Sequence, residues 1–296
     1  MKKNNRLQVQ AVLYRNAPES LTKALDMLAN ALRRDRQRDG YFGEVRMVWG
    51  DASPSPVFTE EQIRTIAQKY QSDFTLQYIY FNENTGYGEG HNRLAKDSDS
   101  DFLMIQNPDI LISGDYFHFM MLPFENDSTG LTEARQTPVE HPKKYDPQTL
   151  ETPWASGACF VIPTPLYQML GGFDTQSFFM YSEDVDLSLR IRLEGKKLIY
   201  QPAAPVYHSK HLTENAHLKV TATELRYSPE AQLALAYKWN NQSLLNRLLA
   251  AFEGGDKIQR EAAAAFHQRV KEKKIKPIRK RNHLYQEKDF ENRFVL

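Results

Sequence analysis

The segment Phe178–Gly195, "FFMYSEDVDLSLRIRLEG", decides how the chain is to be read. Val185, Leu187, Leu189, Ile191 and Leu193 alternate strictly with other residues, which is the period of a strand. The same residues also form two helical stripes. Val185, Leu189 and Leu193 repeat every four residues, and so do Leu187 and Ile191, so a helix buried between two layers satisfies the pattern. Local signals favour this helix. Ser182 is a capping residue, Glu183, Asp184 and Asp186 suit the positive first turn, Arg190 and Arg192 suit the last turn, and Gly195 is a stop. Asp186 and Arg190 are then an i,i+4 pair. A capping role alone does not explain three carboxylates behind an aromatic run, so the rest of the chain must say whether Asp184 faces a cleft.

Upstream, strands and helices alternate. "LQVQAVLY" reads as a buried first strand, with a helix from about Leu21 to Arg36. "GEVRMVWGD" is a second strand ending at Asp51, and Thr59 begins a helix through Tyr70. "FTLQYIYF" is a third strand, "GYGEGHNRLAKD" a glycine-rich helix start, and "DFLMIQNPD" a fourth strand. This order predicts an α/β fold, a mixed, mostly parallel sheet flanked by helices. Ligands of such sheets gather at the carboxyl ends of strands, where Asp51, Asn84 and Asp109 fall. From Pro123 to Pro153 there are five prolines, many polar residues and little periodicity, which predicts a functional or disordered insertion. "KKLIYQPAAPVYH" predicts a strand pair ending at His208, and from about Leu212 the composition turns helical. The expected division is 1–212 for the α/β domain, which would carry the binding and catalytic residues, and 213–296 for a helical C-terminal extension with a basic tail.

The chain has 296 residues, 41% of them apolar, and 38 basic against 37 acidic side chains, a net charge of +1. It is long enough for a sizeable core and has no global charge to attract nucleic acid or membrane. One cysteine, Cys159, excludes an intrachain disulfide and fits a reducing compartment. With no apolar run long enough to span a bilayer, the expected location is the cytoplasm.

Each candidate site residue has an ordinary alternative. Asp109 in "IQNPDI" is placed to hold a hard divalent cation, or belongs to an Asn-Pro-Asp turn. Asp51 in "WGDAS" is a ligand group or an Asx-turn former. Asn84 and Gly86 let backbone approach a phosphate, or build a tight turn. His208 in "PVYHSKH" is a metal ligand, a proton carrier or a structural histidine. His211 and His217 are less well placed, and their spacing makes no zinc motif.

Taken in order, Asp51, Asn84-Thr85-Gly86, Asn107-Pro108-Asp109, Gly172-Phe173 with Glu183-Asp184, and His208 resemble the family 2 inverting glycosyltransferases of GT-A (Rossmann-like) fold, most of all their bacterial rhamnosyltransferase-like branch. The resemblance covers about residues 7 to 212. It implies Asp184 as catalytic base, with Glu183 beside it positioning the acceptor. It implies Asp51, Asn84, Gly86 and Asn107 around the donor nucleotide, and Asp109 and His208 on Mg2+ or Mn2+. Asn107 departs from the family's Asp-x-Asp pattern and lowers the negative charge offered to the cation. The implied donor is dTDP-rhamnose or a UDP-sugar, and the implied acceptor a hydroxyl of a cell-surface polysaccharide or lipid-linked glycan precursor. Trp154 and the aromatic run Phe178–Tyr181 would line the acceptor cleft, or pack as ordinary core. The tail "KEKKIKPIRKRNH" beside "SLLNRLLAAF" would touch an anionic membrane surface, or be solvated charge. Two other classes remain open at this stage: a noncatalytic carbohydrate-binding subunit with the same fold, and a nucleic-acid binder using the tail.

Overall fold

The computed structural model describes residues 3–140, 144–209, 220–278 and 285. Strands β1 (Asn5–Leu13), β2 (Phe42–Asp51), β3 (Thr75–Tyr80) and β4 (Phe102–Gln106) alternate with helices α1 (Pro18–Arg38), α2 (Glu60–Tyr70) and α3 (Gly86–Ala95). β1 pairs in parallel with both β2 and β4, and β2 with β3. Thr59 caps α2 through a capping box with Gln62, as its sequence predicts. On β1, Leu7, Val9, Ala11 and Leu13 face the core that also contains Leu21, Leu25, Leu28 and Leu32 of α1. The opposite face carries Gln8 and Gln10, whose side-chain amides donate to the Leu94 and His91 carbonyls of α3. Burial of those two glutamines is therefore matched by hydrogen bonds.

The second half of the sheet contains β5 (Leu111–Ile112), β6 (Thr129–Thr137), β7 (Cys159–Pro163) and β8 (Lys197–Tyr207), with α4 (Tyr116–Met121), α5 (Thr164–Met169) and α6 (Glu183–Leu193) between them. The strand order is β3-β2-β1-β4-β7-β6-β8-β5. β7 runs antiparallel to β4 and β6, β8 is parallel to β6, and β5 closes the edge antiparallel to β8.

Two expectations are corrected here. The proline-rich segment 123–153 is not an irregular insertion throughout, because it contains β6, nine residues in the interior of the sheet. Its buried side chains include Thr132, Glu133 and Gln136, so it lacks the apolar alternation that marks a strand. The expected strand pair before His208 is one strand, β8, whose register against β6 shifts between Ala134 and Arg135. Pro202 and Pro205 lie at that shift and donate no hydrogen bond to a ladder.

Helix α6 bears out the two-stripe reading. Leu187 and Ile191 join the core over the sheet with Leu103, Ile105 and Leu198. Val185 and Leu189, with Leu193 beside them, join a second core with Trp154, Phe178 and the C-terminal helices α7 (Ala222–Lys238), α8 (Gln242–Glu253) and α9 (Lys257–Lys271). The helix ends as its sequence predicts. Gly195 lies at φ +72°, its N–H donates to Arg192 O and that of Lys196 to Ile191 O, the two bonds of a Schellman stop. Its start differs, because Ser182 is left-handed at φ 64° and its side chain makes no capping bond. The expected boundary at 212/213, His211, His217 and the tail from 279 to 283 lie outside the described residues. Among the described residues no helix is long and apolar enough to cross a membrane.

Candidate active site

The topology brings Asp109 and His208 together. Asn107, Pro108 and Asp109 form the turn between β4 and β5, closed by the Ile110 N–H on Asn107 O at 3.3 Å. The strand after that turn pairs with the end of β8, Leu111 opposite Tyr207, so the residue following β8 must lie beside the turn. His208 Nε2 is accordingly 3.7 Å from Asp109 Oδ1 and 3.3 Å from Asn107 Nδ2. The Asn-Pro-Asp sequence is thus a turn and also the neighbour of His208.

The tautomer of His208 follows from its neighbours. Glu140 accepts from the Gln136 backbone N–H at 2.7 Å and, through its other carboxylate oxygen, from Gln136 Nε2 at 3.4 Å. That leaves Gln136 Oε1 as the acceptor facing His208 Nδ1, 2.9 Å away. Nδ1 therefore carries the proton, and the Nε2 lone pair points toward Asn107 and Asp109. Two ligands of one small divalent cation, each bonded at about 2.1 Å, lie roughly 3 to 4 Å apart. The Asp109–His208 separation fits that span. Among the described residues no three His, Cys, Asp or Glu side chains gather as a ready-made metal cage. The protein thus offers a carboxylate and an imidazole, a partial coordination sphere suited to a cation that also takes phosphate oxygens.

Asp184 and Glu183 open α6. Asp184 is half-buried; its Oδ2 accepts from the Gly157 N–H at 2.9 Å and its Oδ1 from the Val185 N–H at 2.8 Å. The next residue after Gly157 closes the circuit, because Ala158 O accepts from the Asn107 N–H at 2.8 Å. Two adjacent residues of the segment before β7 thus touch both the base candidate and the turn that carries Asp109. Tyr87 braces this segment by donating its hydroxyl to Gly157 O, and a side chain at 157 would put Cβ 3.0 Å from that hydroxyl. Burial, and then the negative charges of Glu183 and Asp184, push the Tyr87 phenol well above its usual range, so it stays a neutral donor. Glu183 is 5% exposed.

The remaining candidates divide. Asn84 is exposed, and its Oδ1 accepts from the Gly86 N–H at 3.1 Å, an Asx turn. Gly86 sits at φ +70°, and any Cβ there would collide with Phe179 O, so this turn is clamped onto the aromatic run before Asp184. Asp51 is fully buried. Its Oδ1 accepts from the Ser53 N–H at 2.9 Å, while Oδ2 accepts from the Val57 N–H at 2.7 Å and from the Tyr78 hydroxyl. Its carboxylate shapes the 53–57 loop from within. That loop, with Arg15, Asn16 and Pro18 after β1, lines an open cleft of about 390 Å³. Arg15 is left-handed at φ 57°, with its N–H on Ser53 Oγ at 2.8 Å. Sequence reasoning missed Arg15, although its position after the first strand was a usable signal. It also missed Gln136, Glu140, Tyr87 and Gly157, for which only three-dimensional pairing gives a signal. Trp154 is 1% exposed within the second core, so it packs the C-terminal helices and has no face for a sugar ring. Of the aromatic run, Phe178 is buried and Phe179 is 38% exposed.

No protein-family profile matches the chain. It is 32% identical over 105 residues to an N-acetylglucosaminyl-diphospho-decaprenol L-rhamnosyltransferase of Mycobacterium tuberculosis, covering 36% of this chain and 31% of that protein. It is 26% identical over 188 residues to the rhamnosyltransferase WbbL of Escherichia coli K12, covering 50% of this chain and 69% of the relative. The chain thus spans about a third of the mycobacterial relative's length. Among solved structures, GalNAc-T7 with UDP, GalNAc and Mn2+ superposes with a TM-score of 0.62 at 14% identity over 93% of this chain and 56% of the other. The mannosyltransferase PcManGT of Pyrobaculum calidifontis, in complex with GDP-Man and Mn2+, gives 0.57 at 18% identity over 90% and 80%. The fold is that of the GT-A glycosyltransferases.

Proposed function

We propose that this protein is an inverting glycosyltransferase that moves a sugar from a nucleoside diphosphate onto a hydroxyl group. The observation that carries the reading is the Gly157–Ala158 segment, hydrogen-bonded to Asp184 on one side and to the Asn107–Asp109 turn on the other. A single displacement needs this pairing. A proton acceptor must stand by the incoming alcohol, and stabilisation of the departing diphosphate must stand close by.

In this reading Asp184 Oδ1 or Oδ2 takes the acceptor proton as the oxygen attacks the anomeric carbon, and Glu183 orients the acceptor. Asp109 and His208 would hold Mg2+ or Mn2+, whose chemistry there is Lewis-acid stabilisation of the diphosphate charge. Asn107 carries no charge, and its amide, 3.3 Å from His208 Nε2, must turn away from that lone pair for the imidazole to ligate, so the negative charge of the first coordination sphere comes from Asp109. The nucleoside occupies the cleft beyond β1 and β2, where Asp51 holds the loop in shape and Asn84 and Gly86 pack the adjoining turn. The donor is dTDP-rhamnose and the acceptor a lipid-linked or cell-surface glycan precursor, in keeping with what the two named rhamnosyltransferases are called. A UDP-hexose is the second donor to test, since UDP is bound in GalNAc-T7. The location that suits such an acceptor is the cytoplasmic face of the membrane.

Asp184→Asn should lower transfer about 10²- to 10⁴-fold, the span of a general base, with UDP and dTDP affinity nearly intact. Turnover close to wild type would refute the base assignment. Asp109→Ala should weaken nucleotide binding only when Mn2+ or Mg2+ is present, and superimposable titrations with and without metal would remove the cation role. A panel of nucleotide sugars assayed for hydrolysis separates an enzyme from a noncatalytic subunit of the same fold.

A further inference from the structure

The residues that carry Asp184 are held from the far side by the C-terminal helices. Tyr181 and Ser182, immediately before Glu183, are consecutive non-glycine residues at φ 70° and 64°. Such a conformation persists only where its surroundings over-determine it. The restraints come from one side chain above all. Lys238 Nζ, at the end of α7, donates to Asp174 Oδ2 at 2.7 Å and lies 2.6 Å from Asp186 Oδ1. It also sits 5.6 Å from the centre of the Phe178 ring. Asp174 and Asp186 bracket the whole segment that contains the left-handed pair and the base candidate.

Neighbouring contacts repeat the pattern. Trp239 Nε1 donates to Asp186 Oδ1 at 3.0 Å, Arg269 of α9 donates to Gln176 O at 2.6 Å, and the Tyr227 ring lies 5.1 Å from that of Phe179. Within the segment, Asp174 Oδ1 accepts from the N–H groups of Gln176 and Ser177. Arg190 binds Asp186 Oδ2 at 2.8 Å and the carbonyls of Leu170 and Gly172, so the charges of two lysine and arginine cations meet those of two aspartates. Lys238 has a side-chain exposure of 8% and Asp186 of 0%. An ammonium this buried reaches both carboxylates in fixed geometry, because any departure leaves charge without compensation.

We infer that Lys238 is a positioning residue for Asp184, and that the C-terminal helices are a working part of the active site through it. The inference rests on the function proposed above for Asp184. It makes the ion cluster more than packing: Lys238 sets the distance between residues 174 and 186, and that distance sets where α6 begins and where its first carboxylates point.

The test compares Lys238→Met, Lys238→Arg and Asp174→Asn with wild type, well below the melting temperature of each. Amide hydrogen exchange across 174–186 should accelerate about 10-fold or more in Lys238→Met, with β1 and β2 unchanged, because the opening is local. For the donor that wild type accepts from dTDP-rhamnose and UDP-hexoses with Mn2+, kcat should fall about 10²-fold, as for a base displaced by about an ångström. UDP and dTDP affinity should hold within about three-fold, since Lys238, Asp174 and Asp186 are not among the residues that line the cleft beyond β1 and β2. Lys238→Arg should recover most of kcat. If Lys238→Met does not fold, Asp174→Asn cuts one arm at its more exposed end and should show the same split in smaller measure. Unchanged exchange and kcat would overturn the inference, as would a loss of kcat that Lys238→Arg fails to recover. A wild-type protein that turns over no nucleotide sugar would remove the proposed function, while the exchange experiment would still decide whether Lys238 orders the segment.

Discussion

The two halves of the sheet bury polar side chains for different ends. In the parallel half, Gln8 and Gln10 of β1 are satisfied by carbonyls of α3, so their polarity fastens a helix to the sheet. In the other half, β6 buries Glu133 and Gln136. Glu133 accepts from the Ser156 N–H at 2.8 Å, which fixes the segment leading to Gly157, and Gln136 fixes the His208 tautomer. Polarity in the first half serves the frame, and in the second it serves the proposed site. That division predicts which substitutions cost stability and which cost chemistry.

The largest expected effect tests whether Trp154 belongs to the frame. Trp154→Ala should destabilise the fold by about 3–5 kcal/mol, as for other buried tryptophans, read from denaturant midpoints. Trp154→Phe should retain transfer with an unchanged acceptor KM. A specific rise in that KM with stability intact would move Trp154 to the site and break the division.

Gln136→Leu sharpens it. Removing the group that orients a metal-binding histidine typically costs about 10- to 100-fold in metal affinity, which calorimetric titration of Mn2+ in the presence of UDP would read. If stability falls and Mn2+ affinity does not, β6 is frame like β1.

The smallest effect concerns the parallel half. Burial alone lowers the His91 pKa from 6.5 to about 3, and its Nε2 has no hydrogen-bond partner among the described residues, so the imidazole is neutral in the fold. The unfolded chain binds that proton first. The associated stability is therefore complete above pH 6.5 and is lost as pH falls toward 3, by about 2 kcal/mol at pH 5. His91→Phe should flatten the slope of stability between pH 6.5 and 5. An unchanged slope would show that another group carries the acid sensitivity.

The parallel half was the more legible in sequence for the same physical reason. β1, β2 and β4 present apolar residues to a core and α1 and α2 present matching stripes, so period and capping signals agree. α6 was legible once both of its stripes were counted. β6 was not, because a strand whose buried positions include Thr132, Glu133 and Gln136 looks like loop until its partners are known. In the candidate site, the meeting of Asn107, Asp109 and His208 is what the family resemblance implied. Gln136, Glu140, Tyr87 and Lys238 act through contacts between residues far apart in the chain, which spacing does not encode. Asp51 and Asn84 show the converse, since the turn alternatives noted for them account for the Gly86 bond of Asn84 and the Ser53 bond of Asp51, while the Val57 and Tyr78 bonds of Asp51 come from the fold.

The Gly157–Ala158 segment fixes a length as well as a pair of contacts. The amide of one residue meets Asp184, the proposed base, and the carbonyl of the next meets the turn bearing Asp109. Successive Cα atoms across a trans peptide are about 3.8 Å apart, so covalent geometry acts as a ruler between the two ends of the proposed reaction. Changing side chains there would alter the shape of the wall but not its gauge; inserting or deleting one residue would.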